Sequence, residues 1–303
     1  MRYIFPIYFA IIFFLRILNL SSIKEIMKKI IVRNKGFGDN IWAEPIVRHF
    51  LEEGEEVLIF TPYPCIFDHY PTTQLHINCP EKIFPIQENL IELKFQEKPK
   101  MHYLEAFRDQ AGLVDLKLTY PRLYLSQKEK KRQIKKSYAI LHHDTYGIQK
   151  LFRNTYGIEW QQVLDFIRSL GLEPIQISRE GENLIAPWVK TKDFREVMSL
   201  IYNADLFIGL DSGPSHIAAA MDIPSVIFFG SVNPYFRHLD NKKKIFLQSP
   251  CPFAHCYHEI PNTLGQPCRL VNINEAPPCC IHTTDQVLEA IAKVYGDLLL
   301  KSP

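Results

Sequence analysis

Apolar residues along this chain fall into short runs, and their spacing alternates between the periods of strands and helices. Ile30-Ile31-Val32 is a β-branched run, followed by the polar turn Arg33-Asn34-Lys35-Gly36-Phe37-Gly38-Asp39. Trp42, Ile46 and Phe50 then recur at every fourth position, which predicts one buried helix face. Gly54 predicts the helix stop, and Val57-Leu58-Ile59-Phe60 the next strand. The same rhythm returns at Tyr138-Ala139-Ile140-Leu141 and continues through apolar runs at 174–178, 204–208 and 223–230. Short strands alternating with helices predict an α/β chain of parallel sheets with βαβ crossovers. Residues 61–120 read differently: Pro62, Pro64, Pro71, Pro80, Pro85 and Pro99 interrupt any period, which predicts loops. The charged run over 127–136 reads as a solvated helix or linker, with the domain boundary near Ser126.

A length of 303 residues fits about two domains. The expected division is a hydrophobic extension over 1–26, a Rossmann-like domain over 27–126 and a second over 127–303. The extension is uncharged from Tyr3 to Leu15, until Arg16 intervenes. That stretch is shorter than the ~20 residues that span a bilayer, and it contains Pro6. No small-residue cleavage site follows it. Met27-Lys28-Lys29-Ile30 reads as a natural start, so an upstream-extended start ranks first, a membrane-associating anchor second and a cleaved signal third. Apolar residues make up 47% and charged residues 22%, enough for a sizeable core. A net charge of +2 gives no basis for a nucleic-acid surface. Seven cysteines, five of them between Cys251 and Cys280, are too few and too clustered for a secreted disulfide scaffold.

The most specific feature is Gly209-Leu210-Asp211-Ser212-Gly213-Pro214-Ser215-His216-Ile217-Ala218-Ala219-Ala220. It follows a buried strand and leads into an Ala-rich helix, with Asp211 or Ser212 able to cap it. The amides and positive dipole end at such a helix start suit a phosphate. Asp-Ser-Gly-x-x-His-x-Ala-Ala-Ala, followed by Pro224 and Phe228-Phe229-Gly230, resembles the C-terminal signature of glycosyltransferase family 9, the ADP-heptose:lipopolysaccharide heptosyltransferases. Gly38-Asp39 with Pro45 resembles that family's first loop. The resemblance implies two Rossmann-like domains facing across a cleft, the glycosyltransferase B fold. It also implies an inverting transfer from a nucleotide-diphosphate sugar, such as ADP-heptose, to a glycan or lipid-linked glycan such as lipopolysaccharide core.

Asp39 is then the general base, with Gly36 and Gly38 shaping its loop. Donor contacts fall to Asp211, Ser212, Gly213, Ser215 and His216, where His216 either donates to a phosphate or packs the helix on its sheet. Amides of residues 212–215 would face the departing diphosphate. The cation expected after the first strand of the second domain is Lys150, with Arg153 also in reach. The acidic partner of the donor ribose is Glu180 or Glu182. His142 and His143 read equally as bystanders at a strand end. The family works without a divalent metal, so no cofactor is required for catalysis. Cys251, Cys256, Cys268 and Cys280 nevertheless have the chemistry of a structural zinc or iron site. A cytosolic location follows from the donor, with peripheral attachment to the inner membrane face as a further expectation. The rival reading from another class is a non-catalytic nucleotide-sugar-binding or scaffold protein with a degenerate acceptor domain. A dinucleotide-binding dehydrogenase is disfavoured, because Ile41 stands where the last glycine of G-x-G-x-x-G belongs.

Overall fold

The structure is a computed structural model and describes residues 29–33, 36–78, 90–95, 100–145, 153–178, 181, 183–258, 268–272 and 275–299. The 1–26 extension lies outside them. Among the described residues, no helix is long and apolar enough to cross a membrane.

Two parallel sheets organise the chain. The first contains β1 (Lys29–Val32), β2 (Val57–Phe60), β3 (Leu75–Asn78) and β4 (Leu90–Glu92), in the order β3-β2-β1-β4. The second contains β5 (Tyr138–His142), β6 (Glu173–Gln176), β7 (Leu206–Leu210), β8 (Ser225–Phe228) and β9 (Lys244–Leu247), in the order β6-β5-β7-β8-β9. Every pairing is parallel, with Ile31 opposite Ile59 and Ile91, and Leu141 opposite Gln176 and Ile208. In each sheet the first strand is central, and the chain leaves it on one side before returning on the other. The crevices at the carboxyl ends of β1/β4 and β5/β7 are therefore topological switch points, where open α/β sheets bind ligands.

Side-chain alternation explains the layers. Ile31, Val57 and Ile59 face α2 (Glu44–Glu52) and α3 (Tyr103–Gln110), while Ile30, Val32 and Phe60 form a separate cluster on the other face. Tyr138, Ile140 and Phe207 face α6 (Phe194–Tyr202) and α7 (Gly213–Ala220). The opposite face of this sheet packs α5 (Trp160–Ser169) and α8 (Thr284–Leu299) on Ala139, Leu141 and Ile208. The largest cluster does not stop at either sheet. It runs from Ile31 through Phe37 and Ile41 of the short helix α1 (Phe37–Ile41) to Ile217 and Ala218 of α7. Phe37 also stacks on Phe194 at 3.9 Å between ring centroids, and Tyr63 sits edge-on to both.

Irregular chain dominates the described part of 61–120, as expected, although it also holds β3, β4 and α3. The start of α3 is fixed by His102, whose Nδ1 accepts from the Leu104 amide at 3.0 Å while Glu105 accepts from the His102 amide at 3.1 Å. The run at 127–136 opens with the expected solvated helix and also carries contacts that the sequence did not mark. Ser126 and Glu129 form a capping box around α4 (Gln127–Lys130), and Arg132 pairs with Asp205. Arg195 of α6 then ties the halves together. Its Nε and Nη2 each meet the Glu129 carboxylate at 2.7 Å, and it donates to the carbonyls of Cys65 and Tyr124. The Arg195 guanidinium beside Glu129 holds that carboxyl down at about 2.

Arg195→Ala would leave that carboxylate and two carbonyls without their shared donor. We expect a stability loss of about 2–3 kcal/mol, read as a lower urea midpoint; an unchanged midpoint would show that the clamp contributes nothing.

Candidate active site

The two sequence motifs meet. α1 begins at the carboxyl end of β1, with Gly36 at its N-cap (φ 22°) and Asp39 in its first turn. Arg33, 1% exposed, reaches from the end of β1 to donate Nη2 to Asp39 Oδ2 at 2.5 Å and Nη1 to the Leu93 carbonyl at 2.7 Å. Its guanidinium lies over the Phe107 and Phe95 rings at 5.2 and 5.8 Å. The bound arginine fixes the orientation of the Asp39 carboxylate.

Across the seam, Asp211 and Ser212 stand at the end of β7 and start α7. The Ser212 hydroxyl lies 3.2 Å from both the Leu210 carbonyl and His142 Nδ1, so β5 and β7 are joined at their switch point. Arg153 donates Nη1 to the Asp211 carbonyl at 3.0 Å, with its guanidinium 5.7 Å from the Tyr257 ring. Asp211 Oδ2 and Arg153 Nε are enclosed without a hydrogen-bond partner. Unsatisfied buried polar atoms cost free energy, and a bound ligand would relieve that cost.

The helix start departs from expectation in one respect. The Ser212 amide donates to Ser215 Oγ at 3.2 Å, the Ser215 amide donates to the Ser212 carbonyl at 3.0 Å, and Pro214 has no N–H. The turn therefore uses most of the amides that were expected to face a phosphate. Positive charge at this edge comes from side chains instead, Arg153 above all. Lys150, Glu180 and Glu182 lie outside the described residues. His143 packs edge-on to Trp160, away from the signature turn.

Several residues here were not singled out by the sequence. Trp42 of the first half donates Nε1 to His216 Nδ1 at 3.1 Å. His216 stacks on His238 at 4.6 Å, and Tyr103 sits 6.2 Å from the same ring. The buried Arg237 guanidinium lies 4.2 Å from the Tyr103 ring. Burial raises the Tyr103 phenol well above its ordinary range, Arg237 opposes this, and both Asp39 and Asp211 add to it. Tyr103 therefore senses both carboxylates. No sequence signal marks these residues, because their significance lies in contacts between distant segments. Gly38 is different: its neighbour His216 explains the glycine, since a Cβ there would fall 2.4 Å from His216 Cδ2.

Two groups were tested as metal holders. Asp211, His216 and His238 offer ligand atoms within 4.8 Å of one another. Two carboxylates, Asp211 and Asp39, and the guanidiniums of Arg237 and Arg153 act in opposite senses on the same imidazole, and His216 Nδ1 already accepts from Trp42, which leaves only Nε2 to offer an ion. The cysteines are a second donor set. Cys256, Cys268, Cys279 and Cys280 are buried, Cys251 is half-buried, and all are free thiols. Burial, then the charges of Cys279, Cys268 and Cys251, push the Cys256 thiol up to about 11. Sulfurs that repel one another as thiolates are the donor set a thiophilic ion would relieve.

Comparison with known proteins agrees with the signature. Residues 183–262 match the model of glycosyltransferase family 9 (heptosyltransferase). Lipopolysaccharide heptosyltransferase 3 of Escherichia coli is 49% identical over 43 residues, 14% of this chain and 13% of that protein. The autotransporter heptosyltransferase Aah of Escherichia coli is 30% identical over 126 residues, 38% of this chain and 31% of that protein. These matches therefore span less than a third of the relatives' lengths. Among solved structures, the iron-containing dodecameric glycosyltransferase TibC of enterotoxigenic E. coli superposes with a TM-score of 0.71 at 20% identity, covering 90% of this chain and 77% of that one. The same enzyme in complex with ADP-D-β-D-heptose gives 0.69 at 19% identity, covering 92% and 80%. The expected resemblance is borne out, and the two facing sheets have the glycosyltransferase B architecture of these heptosyltransferases.

The buried imidazoles give the site a pH signature. Burial lowers His102 to about 3, aided by His216 and Arg237; burial lowers His142 to about 4, aided by His143. His216 falls to about 4 through burial, although Asp211 and Asp39 pull it back. An unfolded imidazole titrates near 6.5, so between about pH 6.5 and 4 the unfolded chain takes up protons that the fold refuses. The stability these groups contribute is fully present above pH 6.5 and falls as pH drops, by up to about 1.4 kcal/mol per group per pH unit. Thermal midpoints should decline steadily from pH 7 to pH 4.5; a flat profile would contradict the buried neutral cluster.

Proposed function

We propose that this chain is an inverting glycosyltransferase that moves heptose from ADP-heptose to a hydroxyl of a glycan acceptor, without metal in the chemical step. The observation that carries the reading is the meeting of Asp39 and Asp211–His216 at facing switch points. In this reading Asp39, oriented by Arg33, accepts the proton of the acceptor hydroxyl as its oxygen attacks the anomeric carbon. The bond from that carbon to the diphosphate oxygen breaks on the opposite face, and ADP leaves. A general base in such a role contributes about 100- to 10,000-fold. Charge grows on the departing diphosphate, where Arg153 supplies a fixed cation in a low-dielectric setting. Asp211 Oδ2, enclosed and without a partner, is the acceptor for a hydroxyl of the donor sugar. Lys150 and Glu180 complete the donor site in this reading.

The acceptor is drawn from the two kinds named among the relatives. Lipopolysaccharide core follows from one and an autotransporter protein from the other. The donor places the reaction in the cytosol, with attachment to the inner membrane face for a lipid-linked acceptor. Cys251, Cys256, Cys268 and Cys280 would hold a structural zinc or iron ion in this reading, supported by the chemistry of their sulfurs and by the similar TibC, which is iron-containing. Such an ion would staple the 251–280 segment.

ADP at about 100 times its dissociation constant should stabilise the protein by about 2.7 kcal/mol, and UDP, GDP, CMP and NAD should not. Asp39→Asn should keep that response while turnover of ADP-heptose falls at least a hundredfold, within the range a general base contributes. A response to ADP without transfer by the wild-type protein to either acceptor would favour the non-catalytic binding reading. Silence toward every nucleotide would sink the donor assignment. Elemental analysis should find about one zinc or iron per chain, and a protein free of both would remove the structural ion.

A further inference from the structure

His216 lies in the first turns of α7, yet the donor that fixes its ring nitrogen belongs to the other half of the molecule. Its Nδ1 accepts from Trp42 Nε1 at 3.1 Å, with the two residues 4% and 1% exposed. Because Nδ1 accepts, the single proton of the neutral ring resides on Nε2. That nitrogen stands 3.7 Å from Asp211 Oδ1. The ring face is stacked on His238 at 15° between planes, and His238 Nε2 is itself 3.3 Å from Ser215 Oγ. The ring is thus held by its face and by Nδ1, with a carboxylate near Nε2, a poor arrangement for a side chain that must turn to meet a phosphate.

The ring edge is where the two halves touch. A Cβ on residue 38 would fall 2.4 Å from His216 Cδ2, a distance real Cβ atoms essentially never show, and 3.0 Å from Nε2, which is also tight. From the same loop Phe37 presses back on α7, with its Cδ1 3.1 Å from where a Cβ of residue 213 would stand. The backbone that carries Asp39 is therefore seated directly on an imidazole of the opposite half.

We infer that Trp42 and His216 are positioning residues. The Trp42 N–H locks the His216 ring as a seat for Gly38, and the seat sets where the Asp39 carboxylate stands relative to the donor. This rests on the reading of Asp39 as the base. A general base must come within about 2.6–3.2 Å of its proton, and a misplacement of about 1 Å can cost a hundredfold.

Trp42→Phe keeps most of the ring and removes only the donor. The expected result is a kcat lowered by about tenfold or more, with the dissociation constant for ADP within about twofold of wild type. The contact itself is tested by melting the single and double variants of Gly38 and His216. Gly38 is in a helix at negative φ, where alanine is intrinsically the better residue. Gly38→Ala should therefore lower the melting temperature of the wild-type protein, but leave it unchanged or raise it in a His216→Ala background. Equal losses in both backgrounds, or an unchanged kcat for Trp42→Phe, would overturn the inference. If ADP fails to stabilise the wild-type protein, the functional reading fails instead, and the melting comparison still decides whether the seat exists.

Discussion

Charge held away from water is the constraint on which the centre of this molecule depends. Arg33, Arg237 and Asp211 are buried at the seam between the two sheets, with Asp39 and Arg153 only partly accessible. Among these five groups the cations outnumber the carboxylates by three to two. Isolated charge in such a place is costly, so every neighbour that can stay neutral does so: the imidazoles of His102, His216 and His238 are all pushed toward their uncharged forms. The surplus also gives the seam its chemical character. A surplus of positive charge beside neutral walls favours an anionic ligand.

That electrostatic arrangement is imposed by packing. The seam is closed by a glycine of each half set against a ring of the other, Gly38 on His216 and Gly213 on Phe37, and the core passes through it without a break. The Arg195–Glu129 clamp lies at the far side of the same interface, joining α6, the connecting segment and the loop after β2. The loop carrying Asp39 and the turn at Asp211 are therefore positioned by two kinds of contact, one apolar, the other ionic.

Much of this was legible in the sequence. The apolar runs that became β1, β2, β5, β7 and β8 announced themselves by composition, and the turns after β1 and β7 by their glycines and aspartates. The helix α3 was hidden because its stop and start signals lie among prolines, and its cap is a histidine rather than a serine or aspartate. Ser212 and Ser215 look in sequence like a phosphate cradle, yet they hydrogen-bond to each other's backbone, a choice that depends on local geometry no pattern encodes. Glu129 sits in a run of lysines that looks solvated, and only the fold shows that Arg195 claims it. Trp42 and Arg237 carry no motif at all, since their roles exist only where two segments far apart in the chain come together.

The unbroken core from Ile31 through α1 to Ile217 makes the dividing surface a fitted joint: residue 38 on one side is shaped by residue 216 on the other. A half transplanted from another protein of this architecture would arrive with a mismatched joint unless α1 and α7 travelled as a pair.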